Sequence, residues 1–315
     1  MNTSSHSTHQ IGLIFGKFYP LHCGHIYLIE KAASQVDELH IILGCEQARD
    51  LRLFETSHMP RQPQVKDRFY WLQKTFKNRH NIHIHILDEA GIASYPNGWK
   101  DWSDRVKAIL QKYQVIPTVI FTSEPQDIDN HALHFGCEVK LIDANREFIN
   151  ISATKIRQSP YQNWQYIAKA ARPFFVKRMA LISDHKLNRL PKQLANIYNT
   201  EYVSNGYINY IYNKVKDQTT ALVLSEADYI RIAMLHAERI DQSAFIANRV
   251  LFTSLDFKTL HQCYQNTFKK THPILQELEN NYPFDLVIHK SDLEHSNSPL
   301  TTFEQVISLV EKQLD

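Results

Sequence analysis

Short apolar runs rich in β-branched residues alternate with segments of helical period along most of this chain. Residues 11–15, IGLIF, predict a buried strand, residues 24–36 place apolar side chains at helical spacing, and residues 39–43, LHIIL, predict the next strand. Strands separated by helices are typical of parallel α/β architecture, because parallel neighbours need a long crossover connection. The sequence therefore predicts an α/β fold built on parallel sheets.

The alternation continues to the end of the chain and divides it into two domains. We expect one domain over 11–171 and a second over 172–315, after a polar tail, 1–10, that we expect to be disordered. The further predicted elements are helices over 65–79 and 99–113 with strands over 82–87, 117–121 and 138–142 in the first domain, and strands over 178–183, 244–252 and 284–289 with helices over 187–198 and 226–240 in the second.

Composition narrows the class of protein. The 315 residues carry a formal net charge of +2 with acids and bases interspersed, so we expect no nucleic-acid partner. The four cysteines are far apart and form no CxxC pair, which suggests neither a zinc site nor a disulfide framework. No apolar run approaches the roughly 20 residues that span a bilayer. We expect a cytoplasmic protein without a membrane partner, and the sequence leaves a homo-oligomer open.

Residues 16–25, GKFYPLHCGH, form a loop between the first strand and the next helix. In an open parallel sheet such a loop lies where ligands bind, and the helix N-terminus presents free N–H groups there. Gly16 lets the chain leave the strand, and Gly24 allows the backbone to approach a ligand. A plain strand-to-helix turn does not explain Lys17, His22 and His25 together. We interpret the loop as a phosphate site whose side chains stabilise developing negative charge.

This loop resembles the GxFxPxHxGH signature of the nucleotidylyltransferase superfamily, whose members transfer a nucleoside monophosphate from a triphosphate to a phosphorylated acceptor. The HxGH element falls on residues 22–25, with Cys23 at the variable position. A second superfamily motif, ISxTxxR, resembles ISATKIR at 151–157, where Ser152 is also a candidate helix N-cap. The resemblance implies a Rossmann-like domain in which the second motif holds the phosphates that leave as pyrophosphate.

Two further segments resemble a particular family. DEAGIASYPNGWKDW (88–102) and TSEPQD (122–127) look like the adenylyltransferase domain of the NadR-type bifunctional NMN adenylyltransferase/ribosylnicotinamide kinase family. In that family an aromatic ring stacks on the nicotinamide, and Trp99 is the matching candidate, since a pyridinium cation favours an aromatic face. A place in the core is the alternative for Trp99. Surface solvation equally explains Arg49, a candidate for the NMN phosphate, and a structural ion pair equally explains Arg68.

The resemblance implies three groups of site residues. The catalytic group would be Lys17, His22, His25 and Arg157. The ATP-binding group would be Gly16, Phe18, Tyr19, Gly24, Ser152, Thr154 and Lys155. The NMN-binding group would be Arg49, Tyr95, Asn97, Trp99, Ser123 and Glu124. We expect no metal ion held by side chains, because Mg²⁺ would arrive with ATP, and because His83 and His85 of IHIHIL form a polar strand face without an accompanying carboxylate or cysteine.

The implied reaction joins ATP and NMN into NAD and pyrophosphate by in-line attack of the NMN phosphate on the ATP α-phosphate. Since that phosphate is already ionised near neutral pH, the reaction needs no general base, and catalysis consists of positioning and charge stabilisation. Two alternatives stay open. One is the same chemistry on another phosphorylated acceptor, such as FMN, phosphopantetheine or a cytidylyltransferase substrate; the other is a regulator that senses NAD or NMN without turnover.

The second domain departs from the kinase pattern of the family. Such a kinase carries GxxxxGK[ST] after its first strand, so that backbone N–H groups cradle phosphates. Residues 183–191 instead read SDHKLNRLP, with no glycine and no lysine followed by serine or threonine. The acid expected at the end of a later strand is missing from 247–249, Ala-Asn-Arg. We predict a P-loop-kinase-like α/β domain that lacks its Walker A motif and does not phosphorylate ribosylnicotinamide, with its own role left open.

Overall fold

The computed structural model describes residues 9–182, 189–205, 224–289, 292 and 299–314. The chain divides into two compact units, Met1–Ala171 and Arg172–Asp315, each containing its own parallel sheet. Residues 1–8 of the expected tail and 183–188 of the kinase loop lie outside the described residues. Among the described residues, no helix combines the length and apolar character needed to cross a membrane.

The first unit is built on one parallel sheet. Its strands are β1 (Ile11–Gly16), β2 (Glu38–Cys45), β3 (Ile82–Asp88), β4 (Val119–Thr122) and β5 (Glu138–Leu141). They lie in the order β3-β2-β1-β4-β5. The strand order therefore reverses beside β1, which pairs with β2 on one side and β4 on the other. Such a switch point opens a crevice at the carboxyl ends of the strands, where ligands bind.

The strands of this unit are connected mainly through helices. They are α1 (Cys23–Ala33), α2 (Gln47–Glu55), α3 (Val65–Phe76), α4 (Trp99–Lys112), α5 (Ile128–Phe135) and α6 (Ala153–Gln158). Val106 and Leu110 of α4 pack on Leu13, Ile42 and Ile120 of the sheet. The expected helices over 24–36, 65–79 and 99–113 are confirmed to within three residues at each end. The apolar pattern missed α2, because that helix buries only Asp50.

The second unit contains a four-stranded parallel sheet in the order β7-β8-β6-β9. Its elements are α7 (Arg172–Phe175), β6 (Lys177–Ile182), α8 (Leu190–Ile197), β7 (Glu201–Val203), α9 (Glu226–Ala244), β8 (Val250–Thr253), α10 (Phe257–Phe268), α11 (Pro273–Asn281), β9 (Leu286–His289) and α12 (Pro299–Leu314). A cluster that includes Met179, Leu194, Phe252 and Val310 forms its core. The expectation of parallel α/β structure in both halves is thus confirmed.

One predicted strand of the second unit is misplaced. Residues 244–252 read as a single apolar run, but Ala244 ends α9 and the strand begins only at Val250. Arg249, with a φ of 67°, interrupts extended backbone between them. The end of the strand therefore lies at Thr253, and an acid does follow it: Asp256 caps α10 by accepting a hydrogen bond from the Thr259 N–H at 3.1 Å. The prediction that no acid follows this strand is therefore wrong.

A buried ion pair joins three segments at the carboxyl edge of the first sheet. Arg68 of α3 is fully buried and lies 2.5 Å from the Asp50 carboxylate of α2. Its guanidinium also donates to the carbonyls of Lys17, at 2.9 Å, and Gly44, at 3.2 Å. The Tyr19 ring lies under the same guanidinium and donates its hydroxyl to the Asp50 carbonyl at 3.1 Å. Arg68 is therefore the structural ion pair that the sequence left open, and it anchors the loop after β1.

We predict that Arg68→Met lowers the free energy of unfolding by about 3–5 kcal/mol, because it leaves the Asp50 carboxylate buried without its partner. The matched control is Arg79→Ala, which removes an exposed pair with Glu30 and should cost no more than about 1 kcal/mol. Urea unfolding followed by circular dichroism measures both. Equal losses in the two variants would contradict the anchoring role.

Candidate active site

Two adjoining cavities lie at the switch point of the first sheet. The aromatic cavity, about 480 Å³, is bordered by predicted site residues Gly16, Lys17, Phe18, His25, Arg49, Tyr95, Trp99, Ser123 and Glu124. The polar cavity, about 200 Å³, is bordered by His22, Gly24, His25, Ser123, Glu124, Ser152 and Thr154. Because His25, Ser123 and Glu124 line both, the structure brings most of the predicted residues to one continuous region.

The HxGH element produces a pair of stacked rings at the start of α1. His22 caps the helix, and its Nδ1 accepts a hydrogen bond from the His25 backbone N–H at 3.3 Å. The imidazoles lie with centroids 3.7 Å apart and planes 21° apart. Gly24 permits this approach, because a Cβ at that position would lie 3.0 Å from the His22 ring. The stack stands beside a helix N-terminus, where free N–H groups attract anions.

Both stacked histidines are neutral at pH 7. Burial, assisted by the positive charges of Arg146 and Arg157, lowers the pKa of His22 to about 3. Burial, the His22 ring and Arg146 hold the pKa of His25 well below its usual value of 6.5. Neutral imidazoles offer a phosphate N–H donors instead of a full positive charge, and they are desolvated before it arrives.

The second motif is tied directly to the first. Ser152 caps α6 by accepting from the Lys155 N–H at 3.3 Å, which confirms the predicted N-cap. Arg157 donates to the Thr154 hydroxyl at 2.9 Å and to the Tyr19 carbonyl at 2.8 Å. Its guanidinium therefore holds the loop after β1 against α6, and the N-termini of α1 and α6 border the same polar cavity.

The cations of the aromatic cavity are paired with carboxylates. Lys17 Nζ lies 3.1 Å from Glu89 Oε2 and 3.3 Å from Asp50 Oδ1. Arg49 donates to the Ile92 carbonyl, and its Nη1 lies 3.8 Å from Glu89 Oε2. Neither cation is simply solvated, so the surface alternative for Arg49 does not hold. Glu89 positions both positive charges at the cavity wall.

Aromatic side chains also border this cavity. Trp99 is the first residue of α4, and its ring meets Trp102 and His131 edge to face, with centroids 5.5 and 5.2 Å apart. Tyr95 contacts the same ring at 6.2 Å and is 65% exposed. Trp99 is thus half-buried in an aromatic cluster while bordering the cavity, which combines the two alternatives that the sequence left open.

Unpaired buried polar atoms concentrate at the aromatic cavity. Within the described residues, His25 Nδ1, Trp99 Nε1, Asp127 Oδ1 and His131 Nδ1 line this cavity without a hydrogen-bond partner. Burial, followed by the charge of Glu124, raises the pKa of Asp127. Buried polar atoms are paired in the great majority of cases, so such a cluster indicates a ligand site.

Four predicted residues are absent from the lining of both cavities. The Tyr19 ring is 1% exposed and packs under Arg68, so it anchors the loop from within the core. Asn97 lies in the exposed turn before α4. Lys155 donates to Asn150 at 3.3 Å on the outer side of α6. Arg157 also lies behind the lining residues and contacts them through Thr154.

The sequence reasoning missed several residues of the site. They are Glu89, Asp127, His131 and Arg146. Arg146 borders the polar cavity and lies 3.3 Å from Glu124. Glu89 follows β3 and was contained in the quoted segment 88–102, so its place after a strand was a usable signal. His131 and Arg146 lie in segments without a recognisable pattern, and only tertiary contact assigns them.

The chain was compared with known proteins. A cytidylyltransferase-like family model matches residues 13–159. The nicotinamide-nucleotide adenylyltransferase of Thermococcus onnurineus is 28% identical over 186 residues, covering 56% of this chain and 87% of that protein. A crystal structure of a NadR protein in complex with NAD and AMP-PNP matches 98% of this chain and 89% of its own, with a TM-score of 0.72 and 20% identity, which shows a common fold.

A longer relative spans almost the whole chain. The trifunctional NAD biosynthesis/regulator protein NadR of Salmonella typhimurium is 43% identical over 291 residues, which are 92% of this chain and 70% of the relative. The match includes both units and confirms the family expected from the motifs. The chain belongs to the NadR family of NAD biosynthesis/regulator proteins.

Proposed function

We propose that this protein is a nicotinamide-nucleotide adenylyltransferase, which joins ATP and NMN into NAD and pyrophosphate. The observation that carries the proposal is the junction of the two cavities at His25. The polar cavity carries the N-termini of two helices, which suits the phosphates of ATP. The aromatic cavity carries Trp99, which suits a nicotinamide ring. At the junction, the ATP α-phosphate would contact His25 while its bond to the NMN phosphate forms and its bond to the departing pyrophosphate breaks.

Each proposed residue has a separate task in this reaction. His22 and His25 donate neutral N–H groups to the α-phosphate as negative charge builds on it. Lys17 and Arg49, aligned by Glu89, attract the NMN phosphate and orient it for in-line attack. Ser152 and Thr154 hold the phosphates that leave, and Arg157 fixes their helix against the loop after β1.

Mg²⁺ fits this site as a companion of ATP. The two carboxylates of the polar cavity are already engaged: Glu124 lies 3.3 Å from Arg146, and Asp143 accepts from the backbone N–H groups of residues 147–149. Mg²⁺ is usually bound through substrate phosphates together with one or two carboxylates. Bound through phosphate oxygens, the ion would neutralise the charge of the departing pyrophosphate. The side chains would position the phosphates that carry it.

The relatives favour NMN over other acceptors. The Thermococcus protein is named a nicotinamide-nucleotide adenylyltransferase and the Salmonella protein a NAD biosynthesis/regulator protein. The aromatic wall gives a pyridinium ring a preferred position that phosphopantetheine does not need. Both superfamily motifs are intact and border one cavity, which favours an enzyme over a regulator without turnover.

We predict that the full-length protein forms NAD and pyrophosphate in equal amounts from ATP, Mg²⁺ and NMN. FMN and phosphopantetheine, supplied in place of NMN, should give product at a small fraction of that rate. Liquid chromatography of the nucleotides and an enzymatic pyrophosphate assay measure the two products. Absence of NAD with NMN, or faster turnover of another acceptor, would overturn the proposal.

Replacing the junction histidine should affect turnover more than binding. We predict that His25→Ala lowers kcat by about 10²–10³-fold, the usual cost of one transition-state hydrogen-bond donor, and changes the KM for NMN by less than threefold. His80→Ala removes an exposed histidine at the end of the α3 segment and should leave both constants unchanged. Steady-state kinetics on the two variants measures the effects. A proportional rise in KM would instead make His25 a binding residue.

We also propose that the second unit does not phosphorylate ribosylnicotinamide. With Asp256 present after β8, this proposal now depends on residues 183–191 alone, which contain no glycine and no lysine followed by serine or threonine. A phosphate-cradling loop needs glycine where the backbone turns tightly around the anion.

We predict that the full-length protein, incubated with ATP, Mg²⁺ and nicotinamide riboside, forms neither NMN nor NAD above background. The same preparation supplied with NMN serves as the positive control for the first unit. Mass spectrometry detects NMN together with any NAD made from it. Appearance of either compound from the riboside would show that the loop supports kinase activity.

A further inference from the structure

A second group of histidines lies on the first sheet, formed by β2 and its edge neighbour β3. The parallel register places His40 beside His83, and Glu38, two residues before His40 in β2, shares its face. His40 Nε2 lies 3.4 Å from Glu38 Oε2, and His83 Nε2 lies 3.8 Å from the same oxygen. One ligand atom from each residue falls within 4.8 Å of the others. The carboxylate that the sequence pattern lacked therefore comes from the neighbouring strand.

The central histidine of this group is held rigidly. The side chain of His40 is only 4% exposed, whereas Glu38 and His83 are 40% and 44% exposed. Its Nδ1 is hydrogen-bonded at 2.9 Å to Nε2 of His85, whose ring packs on Tyr113. The other nitrogen is thereby aimed at Glu38. A hydrogen bond that fixes the outer nitrogen of an imidazole is the usual arrangement around a metal-binding histidine.

The two carboxylate oxygens of Glu38 face different neighbours. Its Oε2 lies beside His40 and His83. His9 lies 3.2 Å from Glu38 Oε1, on the other oxygen from the one that faces His40 and His83.

We propose that Glu38, His40 and His83 form a binding site for a divalent transition metal of borderline softness. Zn²⁺ is the ion that suits these three ligands best. Two imidazoles and one carboxylate suit Zn²⁺ and exclude Mg²⁺ and Ca²⁺, which take oxygen ligands. Zinc bonds of about 2.0–2.1 Å require ligand atoms roughly 3.3–3.4 Å apart. The 3.4 Å separation of His40 and Glu38 already fits, the 3.8 Å separation of His83 and Glu38 is slightly longer, and the third lies within 4.8 Å, so rotation of the exposed Glu38 and His83 side chains has to close the site. The site opens into a groove of about 740 Å³, which leaves the fourth position to water.

The proposed metal site lies outside the two cavities of the proposed reaction, and the reaction does not require it. None of its three ligands borders the aromatic or the polar cavity. Binding would join the edge strand β3 to β2 and so resist their separation. The experiment therefore measures metal uptake, and its outcome does not depend on whether the protein makes NAD.

The test is titration of the metal-free, full-length protein with ZnCl₂ in the absence of nucleotide, followed by calorimetry. We expect one equivalent per chain at this site, at least tenfold weaker binding in His83→Ala, and a similar loss in Glu38→Gln, which keeps the shape of the side chain. Because His83 is nearly half exposed, its replacement leaves the core intact. His80→Ala, three residues earlier and also exposed, should bind as tightly as the unchanged protein.

Two further measurements make the result decisive. Co²⁺ in place of Zn²⁺ should give the intense visible absorption of a four-coordinate site, and His83→Ala should abolish it. His25→Ala, which alters the other histidine pair, should retain both Zn²⁺ affinity and this spectrum. No stoichiometric uptake, or uptake that depends on His25 and not on His83, would overturn the proposal.

Discussion

The pairing of Arg68 with Asp50 is the interaction on which the first unit most depends. The Arg68 guanidinium is a buried positive charge. It is paired with the Asp50 carboxylate and donates to two backbone carbonyls, one just after β1 and one near the end of β2. A buried charge without its partner is strongly unfavourable, so the three segments must meet at one position. This fixes the start of the loop 16–25, and the Tyr19 ring packs beneath the guanidinium.

Burial determines the protonation state of the two histidines in that loop. His22 and His25 are removed from water and stacked, which keeps them neutral and leaves His25 Nδ1 without a protein partner among the described residues. In the proposed reaction, a phosphate that accepts their N–H groups would offset the cost of holding such groups out of water. Lys17 and Arg49 are treated differently: carboxylates hold both cations in place at the rim. The site thus separates neutral donors from full charges.

The two units share an α/β plan but differ in what the carboxyl edges of their sheets can hold. In the first, glycine at positions 16 and 24 lets backbone and rings approach one another closely. In the second, β8 is followed by Ser254 and by Asp256, and the latter is already engaged as the cap of α10. Similar topology therefore does not imply similar chemistry, which resides in the loops that follow the strands.

The sequence by itself determined the alternation of strands and helices, the N-cap at Ser152 and the family, because periodicity and short motifs are local properties. It also brought His22, Gly24 and His25 together at the start of α1, because residues this close in sequence are neighbours there. Only tertiary structure showed that Arg157 contacts the Tyr19 carbonyl, that Glu89 aligns Lys17 with Arg49, and that Glu38 lies beside His83. Those contacts join residues 40 or more positions apart, and strand order and register, not local pattern, decide which of them meet.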